Sequence, residues 1–193
     1  MVSCSPVDMS QVQDQYIFAE LAKDILQPSL PDVISAGLSV VFCGINPGMR
    51  AVASGHHFDG HGNRFWRVLH LAGFTPELMH AENDRELLAH RCGLTSAVGR
   101  PTVRADQVSA HELQASTSTL LQKIEHYHPS YIAFLGKAAY AAISGQRQIS
   151  WGYQRARFGR SKVWILPNPS GLNRGFCLDD LVVAYRALYL AID

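Results

Sequence analysis

The apolar run Leu38-Ser39-Val40-Val41-Phe42-Cys43 leads directly into Gly44-Ile45-Asn46-Pro47-Gly48. A short apolar run that halts at glycine and proline reads as a buried strand. The turn after it places one carboxamide, Asn46, at the carboxyl edge of a sheet, where open α/β sheets bind ligands. Two glycines and a proline leave that turn little bulk and few conformations, so a planar ligand can approach the main chain closely.

Similar punctuation recurs downstream. Tyr131-Ile132-Ala133-Phe134-Leu135 reads as a second buried strand, and Val163-Trp164-Ile165-Leu166 as a third. The third ends in Pro167-Asn168-Pro169-Ser170-Gly171-Leu172-Asn173-Arg174, a second Asn-Pro turn. Between the strands lie helical patterns. Asn63 can cap a helix from Arg64 to Ala72, with Gly73 at its C′ position. The stretch from Glu82 to His90 reads as helical, and Ser109 with Glu112 forms a capping box for a helix to about Tyr127. Lys137 to Ile143 and Leu178 to Ala191 complete the set, the last with Leu181, Ala184, Tyr185 and Leu188 inward. The segment from Met49 to Gly62 reads as a Gly- and His-rich loop. Strands alternating with helices imply an α/β fold: three layers around a short, mainly parallel sheet. In such a sheet both Asn-Pro turns emerge on one edge, so Asn46 and Asn168 face one cleft.

At 193 residues and 47% hydrophobic content the chain supports one domain. Residues 1–22 read as an extension, with an amphipathic helix near Gln11 to Leu26, and residues 23–193 as the domain. No apolar run reaches the length of a membrane span and no signal peptide is visible. The four cysteines, at positions 4, 43, 92 and 177, are too far apart for a CxxC pair. That spacing fits a reducing cytoplasm and supports neither a disulfide framework nor a metal cluster. Residues 1–35 carry five carboxylates against one lysine, whereas the remainder has 16 basic and 11 acidic residues. No carboxylate occurs between Glu125 and Asp179, a stretch holding Lys137, Arg147, Arg155, Arg157, Arg160, Lys162 and Arg174. It reads either as a phosphate-facing surface or as scattered solvated charge.

An asparagine can position water or read an amide-like edge, but it does not titrate near neutrality. A site built on two asparagines works by positioning and electrostatics on a substrate with a good leaving group. Cleavage of an N-glycosidic bond to a uracil-like base meets that condition, because two carbonyls delocalise the departing charge. Phe58 has two readings, a stacking surface for a flipped base or a core plug. Leu172 likewise is a wedge for a base stack or an anchor for its loop. His56, His57 and His61 lie among glycines without helical spacing and do not make a metal site. Cys43, in an apolar strand, reads as an inert thiol.

Four segments together carry a resemblance. Val41-Phe42-Cys43-Gly44-Ile45-Asn46-Pro47-Gly48, Gly62-Asn63-Arg64-Phe65-Trp66, Arg100-Pro101-Thr102, and Leu166-Pro167-Asn168-Pro169-Ser170-Gly171-Leu172-Asn173-Arg174 closely resemble the mismatch-specific uracil-DNA glycosylases. These are relatives of thymine-DNA glycosylase within the uracil-DNA glycosylase superfamily. The resemblance runs from about Lys23 to the C-terminus. It implies a bacterial, cytoplasmic, monomeric base excision repair enzyme that removes uracil, and lesions such as ethenocytosine, from double-stranded DNA when mispaired with guanine. By matching positions, it implies that Asn46 orients the attacking water and that main-chain groups of Ile45 and Gly48 contact the base. Phe58 then stacks on the base, and Asn168 lines the pocket. Ser170, Gly171, Leu172, Asn173 and Arg174 form the wedge. Neither metal nor other cofactor is implied. Ala51 stands where bacterial members often have serine, and Gly55-His56-His57-Phe58 looks more like the thymine-DNA glycosylases. Ala51 and His57 therefore join the expected pocket, with weak activity on G·T mismatches beside G·U. Asn173 replaces the usual serine in the wedge. The rival readings are a non-catalytic mismatch-binding protein and a nucleoside hydrolase.

Overall fold

In the computed structural model, residues 29–192 are described. The expected N-terminal helix lies outside them. Five strands form one sheet in the order β2-β1-β3-β5-β4. They are β1 (Val40–Gly44), β2 (Cys92–Ser96), β3 (Tyr131–Leu135), β4 (Gly152–Phe158) and β5 (Ser161–Leu166). The first four in spatial order run parallel, and β4 closes one edge antiparallel to β5.

The alternation of side chains along β1 explains why helices cover both faces. Val40 and Phe42 point into one core, shared with α2 (Phe65–Ala72) and α6 (Leu178–Tyr189). Phe42 meets Phe65 and Phe74 edge-on, with ring centroids 5.5 and 5.3 Å away. Val41 and Cys43 point into the other core, beneath α3 (Ala110–Ala115), α4 (Thr117–Tyr127) and α5 (Lys137–Ser144). The three-layer α/β architecture follows.

Several local expectations match. Gly73 closes α2 in the left-handed region, at φ 98°. The helix begins at Phe65 with Arg64, not Asn63, at its N-cap, although Asn63 Oδ1 accepts the Phe65 N–H at 3.0 Å. The Ser109–Glu112 capping box is present. The helix it starts, however, breaks at Ser116 into α3 and α4 instead of running unbroken to Tyr127. Ser116 and Thr117 both bond their hydroxyls back to the Leu113 carbonyl, at 3.0 and 3.1 Å, competing with the helical ladder there. Met49 opens a short helix, α1 (Met49–Ser54), where a loop was expected; Gly55 caps it at φ 80°. The segment Ala81–His90 is a 3-10 helix.

Lys123, on α4, pairs with Asp32 at 2.5 Å, and Thr95 on β2 donates to the same carboxylate at 2.7 Å. This ties the segment before β1 to the sheet. The register splits the cation-rich stretch. Lys162 and Arg157 pair with each other near the amino end of β5, with Arg160 in the adjoining turn. Lys137 and Arg174, by contrast, follow the carboxyl ends of β3 and β5. The seven cations therefore do not form one surface. Among the described residues no helix is long and apolar enough to cross a membrane.

Candidate active site

The carboxyl edge of the sheet opens into a cleft of about 760 Å³. Its floor comes from the ends of β1 and β3. One wall comes from the segment Met49 to Asn63, a second from residues 102–106 after β2, and a third from the turn after β5. Ile45, Asn46, Gly48, Ala51, His57 and Phe58 all line it, as do Asn168, Ser170, Gly171, Leu172 and Asn173. Arg174 is exposed and lies outside the lining.

Asn46 is held by its amide nitrogen. Nδ2 donates to the Arg100 carbonyl at 2.9 Å, to Thr102 Oγ1 at 2.8 Å and, more weakly, to the Pro47 carbonyl at 3.3 Å. Main-chain carbonyls only accept, so these bonds fix which end of the amide is nitrogen. Thr102 passes its own proton to the Arg104 carbonyl at 2.7 Å, which leaves its oxygen free to accept from Asn46. The Arg100-Pro101-Thr102 segment is therefore the clamp that orients Asn46. Oδ1 takes no hydrogen bond from the described residues and is not sealed from solvent, so an acceptor faces the cleft.

Asn168 has the opposite arrangement. Its Oδ1 accepts the Ser170 N–H at 2.9 Å, closing an Asx turn, and its carbonyl accepts Asn173 Nδ2 at 2.8 Å. The oxygen is consumed by the turn, and the amide nitrogen, a donor without a protein acceptor among the described residues, is left for the cleft. One carboxamide thus offers a lone pair and the other an N–H.

Phe58 belongs to the core and also reaches the cleft. Its ring stacks on Phe65, with centroids 3.9 Å apart and planes 20° from parallel, so one face belongs to the core. The ring is half-buried and lines the cleft with the remainder. Its backbone is in the left-handed region, at φ 56°, uncommon for a bulky residue.

His57 is 3% exposed. Its Nε2 lies 2.9 Å from the Pro31 carbonyl. Since that carbonyl only accepts, Nε2 carries the proton. Burial holds the imidazole below its ordinary pKa, against opposing effects of the Pro31 carbonyl and Asp84, so His57 is neutral at pH 7. His56 faces Asp84 from 3.6 Å. Among the described residues no group of histidines, cysteines and carboxylates clusters as a metal-ligand set.

The turn after β5 hangs on a residue whose sequence neighbourhood says nothing of that role. Arg64 sends Nη1 to the Phe176 carbonyl at 2.7 Å. Its Nη2 reaches the Ser170 and Asn173 carbonyls at 3.0 and 2.9 Å, and Nε the Pro169 carbonyl at 3.3 Å. A planar guanidinium can satisfy four carbonyls at once. Leu172, at the tip, is 72% exposed although apolar.

No lysine lines the cleft. Its two carboxylates are engaged, Asp59 with Arg50 at 3.2 Å and Asp106 with Arg104 at 2.6 Å. Burial pushes the Cys43 thiol up to about 12, which removes it as a nucleophile near neutrality. Among the described residues Asn46 Oδ1 and Asn168 Nδ2 make no hydrogen bond to the protein, and the lining also includes the Ser96 hydroxyl and the His61 imidazole.

Residues 31–187 match the uracil DNA glycosylase superfamily. The chain belongs to that superfamily. Its fold is also that of a solution structure from Methanosarcina acetivorans, of a protein provisionally named a uracil DNA glycosylase. The two chains are 18% identical, with a TM-score of 0.53, and the match covers 84% of this chain and 98% of the other. The superfamily consists of DNA glycosylases, enzymes that act on DNA. The membership agrees with the three-layer sheet and with a cleft at its carboxyl edge.

Proposed function

We propose that this protein is a monofunctional DNA glycosylase that hydrolyses the N-glycosidic bond of uracil mispaired with guanine in duplex DNA, with thymine a weaker substrate. The observation that carries the reading is the pairing of an acceptor, Asn46 Oδ1, with a donor, Asn168 Nδ2, beside an aromatic face. Ethenocytosine and related lesions opposite guanine belong to the same substrate class.

The steps follow from the groups available. Leu172 enters the base stack and the target nucleotide rotates out, at a cost of a few kcal/mol that is smaller at a mismatch. The base settles against Phe58. As the bond from C1′ to N1 breaks, its electron pair passes to the uracil ring, which becomes an anion. In this reading Asn168 Nδ2 and main-chain N–H groups near Ile45 and Gly48 stabilise that charge. Asn46 Oδ1 accepts a hydrogen bond from the water whose oxygen forms the new bond to C1′. The sugar is left as an abasic site, and the water's second proton is lost to solvent. With no lysine in the cleft, no Schiff base forms and the strand is not cut.

The deciding experiment offers duplexes with U, T, ethenocytosine or hypoxanthine opposite G or A, followed by alkali to reveal abasic sites. Release of uracil opposite G, faster than opposite A, is expected. A protein that retards the G·U duplex in a gel without leaving an alkali-sensitive site is a binder, and the glycosylase reading then fails.

A further inference from the structure

Asp84 is a carboxylate only 3% exposed, on the 3-10 helix Ala81–His90, outside the motifs that mark the cleft. Among the described residues no lysine or arginine pairs with it. Burying a carboxylate without a cationic partner is expensive, so a bare packing role does not account for an acid here. Its contacts point to one place. Oδ2 accepts the backbone N–H of His57 at 2.9 Å, a charge-assisted bond. Oδ1 lies 3.6 Å from His56 Nδ1, a buried nitrogen that makes no hydrogen bond. Both contacts fall on the two residues immediately before Phe58. Phe58 itself has the left-handed backbone and the flat stack on Phe65. A bulky residue persists at positive φ only where its surroundings over-determine it.

We propose that Asp84 is a positioning residue for the stacking ring: through the His57 N–H and the edge of His56 it locks the turn that holds Phe58 flat against Phe65. The cleft then meets an extruded base with a preformed face, and the ordering is complete before binding. This inference rests on the glycosylase reading for its kinetic consequences, but not for its structural one.

The test compares Asp84→Ala, Asp84→Leu and Asp84→Asn with the full-length protein. Leucine fills the space without offering an acceptor, and so keeps the test available should the alanine variant fail to fold. Asparagine keeps an acceptor for the His57 N–H and places a donor beside His56. A crystal structure of the leucine variant is expected to show the Phe58 ring displaced from Phe65. An unmoved ring overturns the proposal whatever the enzyme's activity. In single-turnover assays on a G·U duplex, the alanine or leucine variant is expected to be about tenfold slower, in line with a small misplacement of a substrate-holding group. Asp84→Asn should stay within about threefold of wild type, and affinity for the abasic product should be unchanged. Adding Asp84→Leu to Phe58→Ala should cost nothing more, because residues acting through one group are not additive. Effects that multiply, or a leucine variant as fast as wild type, overturn it. Failure of the wild-type protein to release uracil ends the glycosylase reading instead, and leaves the position of Phe58 as the criterion.

Discussion

Gly171 lies so close to Gly62 that a Cβ built on it would stand 2.7 Å from the Gly62 carbonyl oxygen and 3.1 Å from its carbonyl carbon. The contact joins the turn after β5 to the segment that carries Phe58, and both neighbours are backbone, which cannot swing aside. Gly171→Ala should therefore push the two walls apart. The expected outcome is a loss of about 1–3 kcal/mol in urea unfolding, the range for overpacking, together with slower uracil release. Wild-type stability and rate in this variant would show that the walls move independently.

Arg64 holds the turn after β5 through carbonyls of four residues 105 to 112 positions away. Lysine keeps the charge but donates from a single point. Arg64→Lys is expected to leave two or more of those carbonyls unpaired and to loosen the turn. Because charged hydrogen bonds contribute about 1.5–3 kcal/mol each, affinity for abasic product duplex should fall at least about tenfold. Fluorescence anisotropy with a labelled duplex measures it, and unchanged affinity would mean that the turn holds itself.

What the sequence discloses, and what it hides, divides along physical lines. β1, β3 and β5 are legible because burial on both faces demands unbroken apolar runs, and their turns are legible because Asn-Pro and glycine punctuate them. β4 carries Tyr-Gln-Arg-Ala-Arg and is largely exposed. An edge strand needs no apolar pattern, so its residues announce only charge. β2 is buried, yet Cys-Gly-Leu-Thr-Ser is short and contains a glycine. That glycine admits Leu38 and the Val33 carbonyl, which a Cβ would meet at 2.6 and 2.8 Å. The need for it lies in tertiary contacts. In the site, Asn46, Asn168, Phe58 and Leu172 are legible as residue types in tell-tale turns. The clamps Thr102, Arg64 and Asp84 are not, since Arg64 and Asp84 act on main-chain groups, and Thr102 on the Asn46 side chain, far along the chain. Of the two readings of the cation-rich stretch, a single phosphate-facing surface was suggested by linear order alone, because antiparallel β4 and β5 return part of that stretch to the far edge.

His57 sets a pH limit on the fold. Burial lowers its pKa in the native state below the ordinary 6.5. Between the two values the unfolded chain binds a proton that the native state does not, so stability rises with pH there. The fold should consequently lose stability as pH falls below about 6.5, and His57→Gln should flatten that dependence. Urea melts from pH 5 to 8 provide the comparison. A stability profile identical in wild type and variant would remove His57 as its source.

Ala51 is 5% exposed and lines the cleft from α1. A methyl side chain there leaves room that a thymine methyl could occupy. Thymine release from a G·T duplex is expected to be measurable but slower than uracil release from G·U. Ala51→Val should lower the thymine rate about tenfold more than the uracil rate, since a methyl group discriminated in an apolar pocket contributes about 1–3 kcal/mol. The ratio of the two single-turnover rates is the readout, and an unchanged ratio would place the discriminating contact elsewhere.

Asn46 carries the largest prediction, and its geometry shows how to separate chemistry from support. Asn46→Ala removes the acceptor that would hold water and also the donor that anchors the loop to Arg100 and Thr102. The rate should fall at least about 10²-fold, as for loss of one preorganised polar group. Thr102→Val removes one anchor and leaves Oδ1 in place, so its loss isolates the cost of looser orientation and should be smaller. Abasic product has no base left to cleave, so neither variant should bind it more weakly by more than about twofold. If the two variants are equally slow, orientation of the loop accounts for the whole effect and the water is held by another group. If Asn46→Ala turns over near the wild-type rate, the carboxamide has no part in the reaction, and the paired asparagines are only the walls of a DNA-binding cleft.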